Sequence, residues 1–308
     1  MRSAEGISIL LPTGSFKSSL NARRRLAFSL CIGLLISVIL QALPAQRPLR
    51  VDVDLVNVVL TAQDGAGRFV TGLNEGDFRI YEDGVEQKIA VFEKEDVESA
   101  IGILLDNSLS MVDILPRMKT GLLDFAEHTS SFSELFVLTF GTRVRTLHDV
   151  GQPISQLESR LKALTVQGTS VLYDALVEGL RKVSEREPER KALLVFTDGI
   201  DTASKSGFKD VLIEAQKAGA LLYFIPIGSR ILIDEHTIDS LAKETGGRVI
   251  YLQKSDRVPP AMETIRQELA KQYYIGYYTA RKPGFHSIRV EAPGRDVKIR
   301  AKSGYYSS

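Results

Sequence analysis

An α/β fold with a doubly wound, mostly parallel six-stranded sheet is predicted for the middle of this 308-residue chain, with a small β-sandwich built from strands at its two ends. Three observations predict it. Apolar, strand-like runs alternate with helical stretches between residues 100 and 271, which is the pattern of parallel strands joined by crossover helices. Two of those runs end in an aspartate, where open α/β sheets gather ligands. Both flanks carry short alternating segments punctuated by Gly and Pro, with no helical period.

Residues 1–45 read as a signal peptide or membrane anchor. Arg23-Arg24-Arg25 precede an apolar run through Leu40, and Ala42-Leu43-Pro44-Ala45 offers a small residue for cleavage. Uncut, residues 26–43 approach a membrane-spanning length and would anchor the bulk of the chain outside the inner membrane. Either way the protein is expected to be exported, periplasmic or extracellular. The sole cysteine, Cys31, lies in that run behind Leu30, too large for a lipoprotein signal, so a cleaved protein has no disulfide.

Residues 46–97 supply the first sandwich strands. Val51 to Thr61 alternates well enough for one buried face, and Phe69-Val70, Phe78–Tyr81 and Ile89–Phe92 follow, separated by turns such as Glu82-Asp83-Gly84. So short a β block rarely closes a core alone. The expected completion is residues 273–308, with strand-like stretches at 272–278, 286–291 and 297–302. The central domain, 98–272, would then be inserted between sandwich strands. Its candidate strands are 100–106, 134–141, 143–148, 191–198, 220–227 and 248–252; helices fit 112–129, 153–163, 170–186, 205–218, 234–244 and 259–271. Gly219 and Gly246-Gly247 fall where helix C-caps belong.

Asp106-Asn107-Ser108-Leu109-Ser110 leaves the end of the run Ala100–Leu105, and Asp198 ends the run Leu193–Thr197. Carboxylates and hydroxyls are hard oxygen ligands, so two such strand ends point to one divalent-cation site. An isolated Asp-x-Ser-x-Ser would serve as a helix cap; the second strand-end Asp reverses that balance.

The Asp-x-Ser-x-Ser spacing, followed by Gly168-Thr169-Ser170 and Thr197-Asp198-Gly199, resembles the von Willebrand factor type A domain, and the chain from about residue 50 to 306 resembles bacterial secreted proteins built around it. The resemblance implies a metal-ion-dependent adhesion site holding Mg²⁺, with Mn²⁺ or Ca²⁺ as alternatives. Its implied ligands are Asp106, Ser108 and Ser110, a hydroxyl from the second loop, and Asp198, often through water. Matching the Gly-Thr pair selects Thr169; counting back from Leu172 selects Ser170. The implied function is binding, not catalysis: the ion accepts an Asp or Glu carboxylate from a partner protein.

Other classes fit less well. Of 39 basic and 38 acidic residues, five basic and one acidic lie in residues 1–45, leaving 34 and 37 and a net charge of −3. That balance lacks the footprint of a nucleic-acid binder. His128, His148, His236 and His286 form no zinc spacing. A haloacid-dehalogenase-like phosphatase would need a second Asp where Ser108 stands. A structural envelope protein with a fold-stabilising metal is the other alternative. Tyr273, Tyr274, Tyr277 and Tyr278 are read as two faces of one strand, and Asp201 as a loop cap.

Overall fold

Strand β1 (Val53–Gln63) starts half-exposed and becomes buried on both faces from Val58 onward. Its alternation explains the change. Val56, Val58, Leu60 and Ala62 point into one apolar core, whereas Val59 points into another. The computed structural model describes residues 53–94, 98–129, 133–227, 235–252, 258–280 and 282–307, so the apolar run 26–43, expected as a signal or anchor, lies outside the described residues. Among the described residues no helix is long and apolar enough to cross a membrane.

Strands β2 (Arg79–Glu82), β3 (Val85–Gln87) and β4 (Ile89–Lys94) follow β1, and β11 (Tyr273–Ala280), β12 (Gly284–Glu291), β13 (Lys298–Ala301) and β14 (Gly304–Ser307) come from the other end of the chain. They interleave in two four-stranded sheets, β13-β1-β11-β4 and β14-β12-β2-β3. Between these lies a core that includes Phe78, Ile80, Tyr273, Ile275 and Tyr277. The chain leaves this assembly after β4 and returns on β11, which pairs with β4 in the register Tyr273↔Lys94. Departure and return are thus adjacent. The sequence reading missed β14, where two tyrosines in a short polar tail pair with β12 at His286↔Tyr305 and Phe285↔Tyr306.

The central sheet has six strands, as expected, in the order β10-β9-β8-β5-β6-β7. They are β5 (Ser99–Asp106), β6 (Ser133–Phe140), β7 (Val144–His148), β8 (Arg190–Thr197), β9 (Leu221–Pro226) and β10 (Arg248–Val249). Only β7 is antiparallel to its neighbour. Helices α1 (Leu115–Thr129), α2 (Ile154–Ala163) and α6 (Val258–Ala270) contribute to one face, where Met118, Leu157 and Ile265 meet Ile101, Ile103 and Leu105. Helices α3 (Leu172–Ser184), α4 (Phe208–Ala218) and α5 (Glu235–Thr245) cover the other, against Ala100 and Leu104. The period-two alternation of β5 therefore feeds two cores, which is why it reads as a continuous apolar run. Gly102 is tightly held: a Cβ there would collide with Phe136 and Leu193.

Helix α1 begins three residues later than expected because residues 112–114 form a turn that follows the 3₁₀ turn Leu109–Met111. β10 is also shorter than expected, two residues, with only an isolated bridge from Ile227 to Leu252 continuing the alignment. Gly219 caps α4 in the left-handed conformation at φ 61°, where glycine meets no Cβ penalty.

Candidate functional site

The strand order reverses direction around β5 and β8, and the two strands lie side by side. Asp106 and Asp198 both sit at the carboxyl ends of this pair, in the crevice expected of a switch point. Asp106 is fully buried and Asp198 nearly so. Both oxygens of Asp106 are engaged: Oδ1 accepts the Ser108 N–H at 2.8 Å, and Oδ2 accepts the Thr197 hydroxyl at 2.8 Å. Burial pushes the Asp106 carboxyl up to about 6, the nearby Asp198 charge adds to the rise, and the bonds from Ser108 and Thr197 oppose it. Among the described residues no lysine or arginine pairs with either carboxylate. Two buried acids without a counter-charge are costly, and a cation would relieve them.

The Ser108 and Ser110 hydroxyls lie 3.0 Å apart, Ser108 buried and Ser110 exposed. A second loop, 165–171, is laid beside them by Asn107. Its carbonyl accepts the Gln167 N–H at 2.7 Å, its amide donates to the Thr165 carbonyl at 2.8 Å, and Ser108 and Gln167 form a parallel bridge. Sequence reasoning passed over Asn107, whose brace depends on contacts some sixty residues away.

Thr169 and Ser170 differ in environment: Thr169 is exposed, whereas Ser170 is buried. The Ser170 backbone is clasped on both sides by Thr202. Its N–H donates to the Thr202 hydroxyl at 2.9 Å, and its carbonyl accepts the Thr202 and Ala203 N–H groups. Its own hydroxyl is buried with no hydrogen-bond partner. An orphaned buried hydroxyl is uncommon, and this one is free to serve as an oxygen ligand. Asp201 does act as a cap, accepting the Tyr173 N–H at the start of α3 and the Ser204 hydroxyl. Asp174, which the sequence did not single out, holds the Lys205 and Ser206 N–H groups and fixes the same loop from the other side.

Two carboxylates with several hydroxyls, the remainder of the shell left to water, fit Mg²⁺ or Mn²⁺ better than the larger shell of Ca²⁺. The histidines lie elsewhere: His148 is buried, His128 lies against the Asp124 carbonyl on the same helix, and His286 belongs to the sandwich. The four tyrosines of β11 also divide, Tyr273 and Tyr277 facing the sandwich core, Tyr274 the central core, and Tyr278 remaining exposed.

Residues 101–200 match the family model of the von Willebrand factor type A domain. Among solved structures, the chain is similar to an aerotolerance-related membrane protein from Bacteroides fragilis, with 18 % identity over 56 % of this chain and 98 % of that one and a TM-score of 0.45. It is similar to the conserved hypothetical protein BatB from Bacteroides thetaiotaomicron, with 17 % identity, coverage of 57 % and 98 %, and a TM-score of 0.45. A third likeness is to proximal thread matrix protein 1 from the mussel byssus, with 16 % identity, coverage of 62 % and 50 %, and a TM-score of 0.50. At 16 % identity that third likeness is one of fold alone. No curated protein matches the chain.

Proposed function

We propose that this protein, which carries a von Willebrand factor type A domain, is an exported, non-enzymatic binding module that engages an acidic residue of a partner protein through Mg²⁺. The residues that would hold the ion are Asp106, Ser108, Ser110, Ser170 and Asp198, with Ser170 preferred to Thr169 because its hydroxyl is buried and unpartnered. That orphaned hydroxyl, together with two buried carboxylates that have no counter-charge, is the observation that carries the reading. When bound, the ion supplies a coordination position that a partner's Asp or Glu carboxylate can take in place of water.

The chain's own groups prepare that position. Thr197 and the Ser108 N–H lock both Asp106 oxygens. The Ile200 N–H does the same for one oxygen of Asp198 at 3.1 Å. Two carboxylates match the ion's charge without exceeding it, and the neutral hydroxyls leave it electrophilic toward an anion. For the phosphatase alternative, Ser108 stands where a second acid is needed, and its hydroxyl is turned to Ser110.

The test is thermal unfolding of the whole protein in EDTA and in millimolar Mg²⁺, for wild type and Asp106→Ala. At a hundredfold its dissociation constant, a bound ion adds about 2.7 kcal/mol of stability. A Mg²⁺-dependent rise in wild type that disappears in Asp106→Ala is expected. An equal response in both proteins, or none in wild type, refutes the site. Mg²⁺-dependent stability without any Mg²⁺-dependent partner binding would favour the fold-stabilising alternative.

A further inference from the structure

A second cluster of metal-ligating side chains lies in the sandwich, away from the strand-end site. Glu82 and Asp83 end β2 and turn toward β3, and His286 stands on β12 beside them. One ligand atom from each of the three lies within 4.8 Å of the others. Glu82 and His286 are buried, whereas Asp83 is exposed and opens the cluster to solvent.

The hydrogen bonds orient these atoms toward one another. His286 Nε2 lies 2.8 Å from the Lys282 carbonyl, an obligate acceptor, so it carries a proton. The other ring nitrogen, Nδ1, then faces Asp83 Oδ2 at 2.8 Å and Glu82 Oε1 at 3.7 Å. Asp83 Oδ1 is held on its far side by the Ser287 N–H and hydroxyl. Thr279 steadies Glu82 Oε1. Nδ1 and both facing oxygens are electron-pair donors, so a cation must sit among them, either a proton on Nδ1 or a metal ion. Among the described residues no lysine or arginine pairs with Glu82 or Asp83.

Two further features fit a metal. A histidine that donates its remote ring N–H to a backbone carbonyl is the usual arrangement around a bound metal, because it fixes the tautomer and the ring. Ligands about 2.0–2.1 Å from one tetrahedral ion stand about 3.3 Å apart, and the 2.8 and 3.7 Å separations from Nδ1 bracket that spacing.

We propose that Glu82, Asp83 and His286 form a second, independent metal site, selective for a borderline divalent ion such as Zn²⁺, that ties the β2–β3 turn to β12. One imidazole nitrogen and two carboxylate oxygens, with water in the fourth position, suit Zn²⁺ rather than the all-oxygen preference of Mg²⁺.

The test measures Zn²⁺ binding to the full chain in an Asp106→Ala background, which removes the strand-end site, by competition with a chromophoric chelator. One equivalent is expected to bind, at least tenfold more weakly in His286→Gln and in Asp83→Asn, with circular dichroism in EDTA unchanged. No binding in the background protein, or equal binding after His286→Gln, overturns the proposal. Should a variant fail to fold, the imidazole ¹⁵N spectrum of the background protein decides. With saturating Zn²⁺, Nδ1 is expected to lose its proton while Nε2 keeps one; a His286 protonated on both nitrogens means an Asp83–imidazolium pair and overturns the metal.

Discussion

Glu268 offers the sharpest test of how the sandwich is fastened to the central domain. It lies on α6, fully buried, between Arg248 of β10 and Arg300 of β13. Its Oε1 accepts the Tyr223 hydroxyl at 2.8 Å and meets Arg300 Nη2; its Oε2 is 3.0 Å from Arg248 Nε. Arg300 also donates to the Gly246 carbonyl at 2.9 Å. One carboxylate thus joins the last helix of the central domain to a strand of the sandwich. Breaking a buried pair by removing one partner costs about 3–5 kcal/mol, since the remaining charge is left without compensation.

The arginine side chains are 27 % and 21 % exposed, so water can partly recover them. That places Glu268→Gln, which keeps the shape and removes the charge, near the lower end, about 3 kcal/mol. For a domain of this size the loss corresponds to a fall in Tm of about 6–12 °C. Urea unfolding followed by circular dichroism measures it directly. A cycle with Arg300→Met should return a coupling of at least about 1 kcal/mol. If Glu268→Gln unfolds within about 0.5 kcal/mol of wild type, in the range of an ordinary surface change, the cluster does not fasten the two parts and the reasoning fails.

Two other predictions address charge and ligation. Lys302 on the sandwich is half-buried; burial pulls its ammonium down to about 8, and the nearby Glu189 charge opposes the shift. The unfolded chain therefore binds the proton more tightly, so stability should rise with pH between about 8 and 10.4. Lys302→Met should stabilise the protein at pH 7 by up to about 2 kcal/mol, the advantage shrinking as pH rises from about 8 and gone by about 10.4; equal stability at pH 7 would count against it. At the strand-end site, Ser170→Ala should weaken the Mg²⁺ response in thermal unfolding by tenfold or more, and Thr169→Ala should leave it within twofold; the reverse order would return the second-loop ligand to Thr169.

Much of the architecture could be read in the sequence because local periodicity and burial agree there. β5 and β8 are continuous apolar runs ending in a polar cluster, so the strand ends bearing Asp106, Ser108 and Asp198 were visible without any long-range information. The choice between Thr169 and Ser170 was not. It depends on which side of the second loop faces inward, and that is set by Asn107 and Thr202, through contacts that leave no trace in local pattern. Glu82-Asp83-Gly84 read as turn punctuation, and its histidine lies 203 residues away from Asp83. Glu268 followed the helical period but gave no sign that its face would be covered by a strand from the end of the chain.

The placement of the sandwich bears on what the strand-end site can do. Arg190, at the start of β8, donates to the Gln272 carbonyl next to β11, so the sandwich approaches the central sheet at the strands' amino ends. Asp106 and Asp198 lie at the opposite ends. Seven steps along β5 at about 3.3 Å each put the two ends of that strand about 23 Å apart, so the sandwich does not crowd the aspartates. Nor is it a loosely tethered appendage. Val59 and Tyr274 of the sandwich share one apolar core with Leu221, Tyr223 and Leu269 of the central domain. A continuous core resists independent rocking, so a load applied at the aspartates would pass along β5 and β8 into a braced β base.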